Sequence, residues 1–222
     1  VFWATLSLPA HSADWFDLIL SDGTKLKYGI EYPQGFDARK TYPVILALPP
    51  GGQSRRMIEM AHDNYWGAEA SERGFVVVSP IAPYHKFFYA GGEVYIPELL
   101  DQITKSYKVE LEKFHLVGIS NGGLSAFQVA LDAPERYRSL TVLSGYPLNL
   151  SKTDSLESLR DLPISMFVGE DDTPWREKMD ELKARFDAMD KPVFYEVVPN
   201  NGHEITDLAG ENAKRIFEHI HD

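Results

Sequence analysis

Cysteine is absent from this chain of 222 residues. That excludes disulfide staples, thiolate-held zinc and a thiol nucleophile together. It does not assign a compartment, because secreted, periplasmic and cytoplasmic proteins can all lack disulfides. Positive charge is also scarce. Lys and Arg number 22 against 33 Asp and Glu, for a net charge of −11. Non-specific nucleic-acid binders need a basic footprint, so no nucleic-acid partner is expected. The same field mildly repels polyanions without forbidding a local basic pocket. No stretch is long and apolar enough to cross a membrane. No ligand spacing suggests calcium, so no metal is expected. Repeats and low-complexity runs are missing, and nothing fixes an oligomeric state.

What is present is ordinary for a globular protein: 44% hydrophobic and 25% charged residues. The length suits one domain over residues 1–222 that buries its core without staples. The start, Val1 to Pro9, is apolar and runs into Ala10-His11-Ser12. Residues 1–13 read equally as the remnant of a secretory signal or as an N-terminal arm.

The most informative segment is Lys113 to Ala126, where an apolar β-type run enters Gly118-Ile119-Ser120-Asn121-Gly122 and a helical pattern follows at once. A strand, a sharp Gly-x-Ser-x-Gly turn and a helix together make a nucleophile elbow, which projects the serine hydroxyl above a sheet edge. The small residues at 118 and 122 suit two crowded backbones. A helix opening at Asn121 aims free N–H groups at the space beside Ser120. The competing interpretation is a glycine-rich turn whose serine only caps the helix.

The rest of the chain alternates. Trp15–Leu20 and Lys25–Tyr32 read as strands joined by a hairpin at Ser21-Asp22-Gly23-Thr24. Further strands are expected at Pro43–Leu48, Phe75–Ser79, Phe114–Ile119, Ser139–Ser144, Ile164–Val168 and Val193–Val198. Helices are expected at Met57–Arg73, Ile96–Tyr107, Asn121–Leu131, Pro174–Met189 and Thr206–His219. Strands alternating with helices predict an α/β fold: a mainly parallel sheet, helices on both faces and an antiparallel N-terminal hairpin.

A serine needs a base, and the base needs an orienting partner. In parallel sheets such groups collect at strand carboxyl ends. The strand Ile164–Val168 leads into Gly169-Glu170-Asp171-Asp172-Thr173-Pro174. Loop position favours Asp172 as the acid over Asp171, with Glu170 third; acids here also serve as plain helix caps. The base is expected at His203, in the turn after the last strand, which completes the chain order Ser…Asp…His. Two converging N–H groups are needed for an oxyanion. Asn121 offers one, and the loop Pro49-Pro50-Gly51-Gly52-Gln53 the other. Prolines cannot donate, which leaves Gly52 or Gln53, with Gln53 preferred. Gly52, Tyr146 and Trp175 are expected to line the substrate cleft. The aromatic segment Pro83 to Gly92 reads either as a pocket wall or as packing on the sheet edge.

With these residues in view, the chain from Pro43 to about His219 resembles the α/β-hydrolase superfamily. Gly118-Ile119-Ser120-Asn121-Gly122-Gly123 with Pro134-Glu135-Arg136-Tyr137 resembles small serine esterases of the carboxylesterase, feruloyl esterase and polyhydroxybutyrate depolymerase type. The resemblance implies a Ser-His-Asp triad, an acyl-enzyme and no cofactor. It departs at Pro49-Pro50, where the family usually has His-Gly, and in lacking the disulfides common among secreted members. With no long insertion to form a lid, an open cleft is expected, suited to short-chain or polymer-linked esters. A peptidase or thioesterase of the same fold, or a non-catalytic binding module, are the alternatives.

Overall fold

A computed structural model describes residues 13–149 and 153–220. Most of the N-terminal segment, residues 1–12, lies outside the described residues. Among the described residues, ten strands and seven α-helices follow in chain order. The strands are β1 (Asp14–Ile19), β2 (Lys25–Glu31), β3 (Thr41–Tyr42), β4 (Val44–Leu48), β5 (Val76–Pro80), β6 (Lys108–Val109), β7 (Phe114–Ile119), β8 (Tyr137–Leu143), β9 (Ile164–Gly169) and β10 (Phe194–Val198). The helices are α1 (Arg55–Ala61), α2 (Gly67–Glu72), α3 (Ile96–Ser106), α4 (Asn121–Asp132), α5 (Thr153–Glu157), α6 (Thr173–Ala188) and α7 (Lys214–Phe217).

Eight strands make one sheet in the order β1-β2-β5-β4-β7-β8-β9-β10, and β3 pairs with β6 separately. β1, β2 and β5 pair antiparallel, and every pairing from β5 to β10 is parallel. The hairpin closes as expected: Gly23 N–H donates to Leu20 O at 2.9 Å and Leu20 N–H to Thr24 O at 2.9 Å.

The central strands β4, β7 and β9 are buried at every position, because helices cover both faces. On one face Leu46, Leu116 and Met166 meet Leu99 and Ile103 of α3, Phe127 of α4 and Leu182 of α6. On the other, Ala47, Val117 and Phe167 share a core with Tyr65, Trp66, Ile216 and Phe217. Adjacent strand residues thus feed opposite cores, as period-2 alternation requires. No helix among the described residues is long and apolar enough to cross a membrane.

Two expected helices differ. The segment read as one helix over Met57–Arg73 is α1, a π-helical turn at His62–Trp66, and α2. Gly67 N–H donates to His62 O, an i→i+5 bond. The His62 imidazole fills the space where any Cβ at position 67 would stand, and its Nδ1 pairs with the buried Glu31 carboxylate. The segment Thr206–His219 is not continuous either. It comprises 3-10 turns at Thr206–Leu208 and Gly210–Ala213, then the short α7. Ala209 is extended (φ −94°, ψ 160°) and Gly210 is left-handed (φ +59°), which breaks the helical path.

Candidate active site

Three strand ends build the site. The first is β7, which delivers Ser120 into the N-terminus of α4. Ser120 has φ +54° and ψ −121°, a conformation costly for a non-glycine residue. The turn is so tight that a Cβ at Gly118 would overlap the Gly122 backbone, and one at Gly122 would overlap Leu48 O. Gly-x-Ser-x-Gly is therefore a steric requirement here, because strand, turn and helix leave no room for methyl groups.

The second strand end is β9. Asp172 follows it as the N-cap residue of α6 and is buried, with 8% of its surface exposed. Asp171 and Glu170 are exposed. Glu170 instead accepts a hydrogen bond from Asn200 N–H at 3.1 Å. The third is β10, whose loop carries His203. Asn201 shapes this loop: its Nδ2 donates to Pro199 O at 2.8 Å and its Oδ1 accepts from Asp207 N–H at 3.1 Å. Asp171 N–H donates to Asn201 O at 2.8 Å, which lashes the acid loop to the histidine loop.

These ends converge. His203 Nε2 lies 2.7 Å from Ser120 Oγ, and His203 Nδ1 lies 2.7 Å from Asp172 Oδ2. The same Asp172 oxygen accepts a hydrogen bond from Ser144 Oγ at 3.2 Å. Ser144 is wholly buried just past β8, at φ +49°. Its role was not anticipated; a serine after a strand carries no signal of its own. The chain of contacts can move a proton from the Ser120 hydroxyl onto an imidazole whose other nitrogen faces a carboxylate.

The loop after β4 bears on the residue expected as the second N–H donor. Gln53 N–H donates to Pro50 O at 3.0 Å, closing a turn in which Gln53 is left-handed (φ +48°). The residue is fully buried, and its N–H is committed within the loop. Its side chain is a cross-brace: Nε2 donates to Ser125 Oγ at 2.8 Å, and Oε1 accepts from Phe88 N–H at 2.9 Å. Neither Gly51 nor Gly52 N–H donates to a backbone carbonyl among the described residues. Asn121 Nδ2 donates to Gly51 O at 2.9 Å and ties this loop to the elbow.

Trp175 sits beside His203, with ring centroids 4.8 Å apart, and Tyr146 packs on Trp175 at 5.2 Å. Gly52 is exposed on its loop. A cleft of about 500 Å³ opens over Ser120 and His203, lined also by Gly51, Met57, Met60, Tyr65, Glu204, Thr206 and Ala209. Arg56 and Asn64 also border it. The wall from α1 and the π turn was missed, because residues 57, 60, 64 and 65 at helical spacing look like any core stripe. Burial, and secondarily the Glu204 charge, push the Tyr65 phenol above its ordinary value. None of the described side chains of the aromatic segment is among those lining this cleft: Phe88 is buried in the main core, and Phe87 stacks on Tyr89 at 5.1 Å. Among the described residues no cluster of three or more His, Asp or Glu side chains is set to hold a metal.

Comparison with known proteins agrees with this geometry. Residues 19–219 match the model of the Esterase family. No curated protein sequence matches the chain. Among solved structures, a thermostable esterase superposes with a TM-score of 0.76 at 15% identity over 93% of this chain, which spans 62% of that one. An S-formylglutathione hydrolase from Agrobacterium tumefaciens gives 0.72 at 18% identity, covering 95% of this chain and 99% of the other. A ferulic acid esterase from Anaeromyces mucronatus, in complex with ferulic acid, gives 0.72 at 14% identity, covering 94% and 88%. At these identities the structures speak for the fold, and the family model speaks for descent: the chain has the α/β-hydrolase fold and belongs to the Esterase family.

Proposed function

We propose that this protein hydrolyses carboxylic esters through an acyl-enzyme formed on Ser120. The observation that carries the reading is the unbroken chain Ser120 Oγ, His203, Asp172, with both links at 2.7 Å, at the base of an open cleft. Ser120 Oγ attacks the ester carbonyl while His203 Nε2 takes its proton. Asp172 holds the Nδ1–H tautomer and offsets the imidazolium charge. The C–O bond to the alcohol breaks, and the alcohol leaves with the proton from His203. Water, deprotonated by the same imidazole, then attacks the acyl-serine and releases the acid.

The oxyanion would rest on the Asn121 N–H, at the positive end of α4, and on a glycine N–H of the loop after β4. Gly51 is the better donor, since it borders the cleft and Gln53 is committed elsewhere. Trp175, with Tyr146 behind it, forms a wall beside His203. The short loops favour short-chain or polymer-linked esters.

The test is hydrolysis of p-nitrophenyl acetate together with labelling by a fluorophosphonate. Ser120→Ala and His203→Ala should each lower kcat by roughly 10⁶-fold, and Ser120→Ala should abolish labelling. A folded Ser120→Ala protein that still turns over ester at the wild-type rate would remove Ser120 from the reaction.

A further inference from the structure

The sequence holds ten arginines. Nine form ion pairs with an Asp or Glu. The exception is Arg56, which is exposed, has no ion pair or hydrogen bond among the described residues, and borders the Ser120 cleft. Its neighbour Arg55 shows the contrast. Arg55 donates to Glu59 at 2.8 Å and lies over the Trp15 ring at 4.6 Å, so it is used up in holding the helix surface. In a chain of net charge −11, a cation without an ion pair on the border of the Ser120 cleft opposes the overall field.

The rest of the cleft gives that cation a direction. Met57, Met60 and Tyr65 add apolar surface to the same cleft. Glu204, one residue past His203, also lines the cleft and has no ion pair among the described residues. Within this lining a substrate carboxylate is attracted by Arg56 and repelled by Glu204, and the two are not paired with each other. A guanidinium also presents paired donors that match a carboxylate in two hydrogen bonds.

We propose that Arg56 is a specificity residue that binds a carboxylate on the substrate, so that the preferred esters carry a free acid on the acyl or the alcohol part. This rests on the Ser120 reading above and names the substrate class for that site.

The experiment compares matched ester pairs at low ionic strength. The first pair, p-nitrophenyl butyrate and mono-p-nitrophenyl glutarate, places the acid on the acyl side. The second, phenyl acetate and 4-acetoxybenzoate, places it on the alcohol side. The readout is the ratio of kcat/KM for the charged ester to that for the neutral one. In Arg56→Gln this ratio should fall about tenfold in at least one pair; Arg56→Lys should recover part of it, and added salt should erode the wild-type ratio. The pair that responds tells which side of the ester carries the acid. Unchanged ratios in both pairs, or an equal fall in charged and neutral rates, overturn the Arg56 proposal while the Ser120 reading stands. Failure of the wild type to hydrolyse any of the four esters overturns both.

Discussion

Replacing Gly169 by alanine should disable the site without touching any residue of the proposed proton chain. Gly169 ends β9, and the histidine loop lies directly on it. A Cβ there would lie 2.7 Å from the Asn201 carbonyl carbon, and closer still to the Asn201 and Gly202 oxygens. Carbon–carbon contact needs about 3.5 Å, so the loop must retreat by about 1 Å. His203 is the next residue along, and its 2.7 Å links to Ser120 and Asp172 leave no slack. A misplacement of about 1 Å can cost on the order of 10²-fold in rate. Overpacking of this kind costs typically 1–3 kcal/mol against a total stability of about 5–15 kcal/mol, so the variant still folds. Gly202 is the control. It adjoins His203 directly, yet a Cβ at 202 meets nothing within 4 Å. The assay is kcat/KM on p-nitrophenyl acetate beside a thermal melt. Gly169→Ala should lose about 10²-fold while Gly202→Ala stays within about threefold of wild type. A folded Gly169→Ala protein with wild-type kcat/KM would refute the claim that this contact sets the position of His203 for the proposed reaction.

Two further expectations follow from single contacts. Ser144→Ala removes a donor to the buried Asp172 carboxylate; at 3.2 Å this bond is long, so the low end for a charged acceptor, about 1.5 kcal/mol, applies. That predicts a loss of about tenfold in kcat/KM, and no loss would sever Ser144 from the acid. The Arg39 guanidinium, and then its backbone N–H, hold the Asp37 carboxyl down to about 2, below its ordinary 3.8. A depressed acid stabilises the fold above its unfolded value, and that contribution is lost as pH falls through about 2. An NMR titration should find this midpoint and see it return toward the ordinary value in Arg39→Ala.

The elements most legible in the sequence are those whose cause is local. β7 was bounded correctly at Phe114–Ile119 because an apolar run ends at a turn that only small flanking residues permit. Ser120 could be singled out because strand, turn and helix are contiguous there. Asp172 and His203 could be nominated because both follow strand ends, but the burial that distinguishes Asp172 from the exposed Asp171 is visible only in the fold. Gln53 shows the limit. Its place in the loop was evident, while the direction of its N–H depends on a left-handed turn closed on Pro50. Periodicity also ran through the π turn at His62–Trp66, since one extra residue hardly disturbs an apolar stripe; Gly67 was the only clue. Ser144 and Arg56 left no local mark, because one acts through a distant carboxylate and the other is distinguished by what it does not pair with.

If Ser120 is the nucleophile proposed above, endurance and reactivity favour different amino acids at that position. A left-handed backbone welcomes glycine and taxes serine by about 1–3 kcal/mol. Ser120→Gly should therefore melt higher than the wild type while losing its chemistry. A library sorted by heat alone would drift toward inert descendants, and only a screen that also demands turnover would keep the hydroxyl in place.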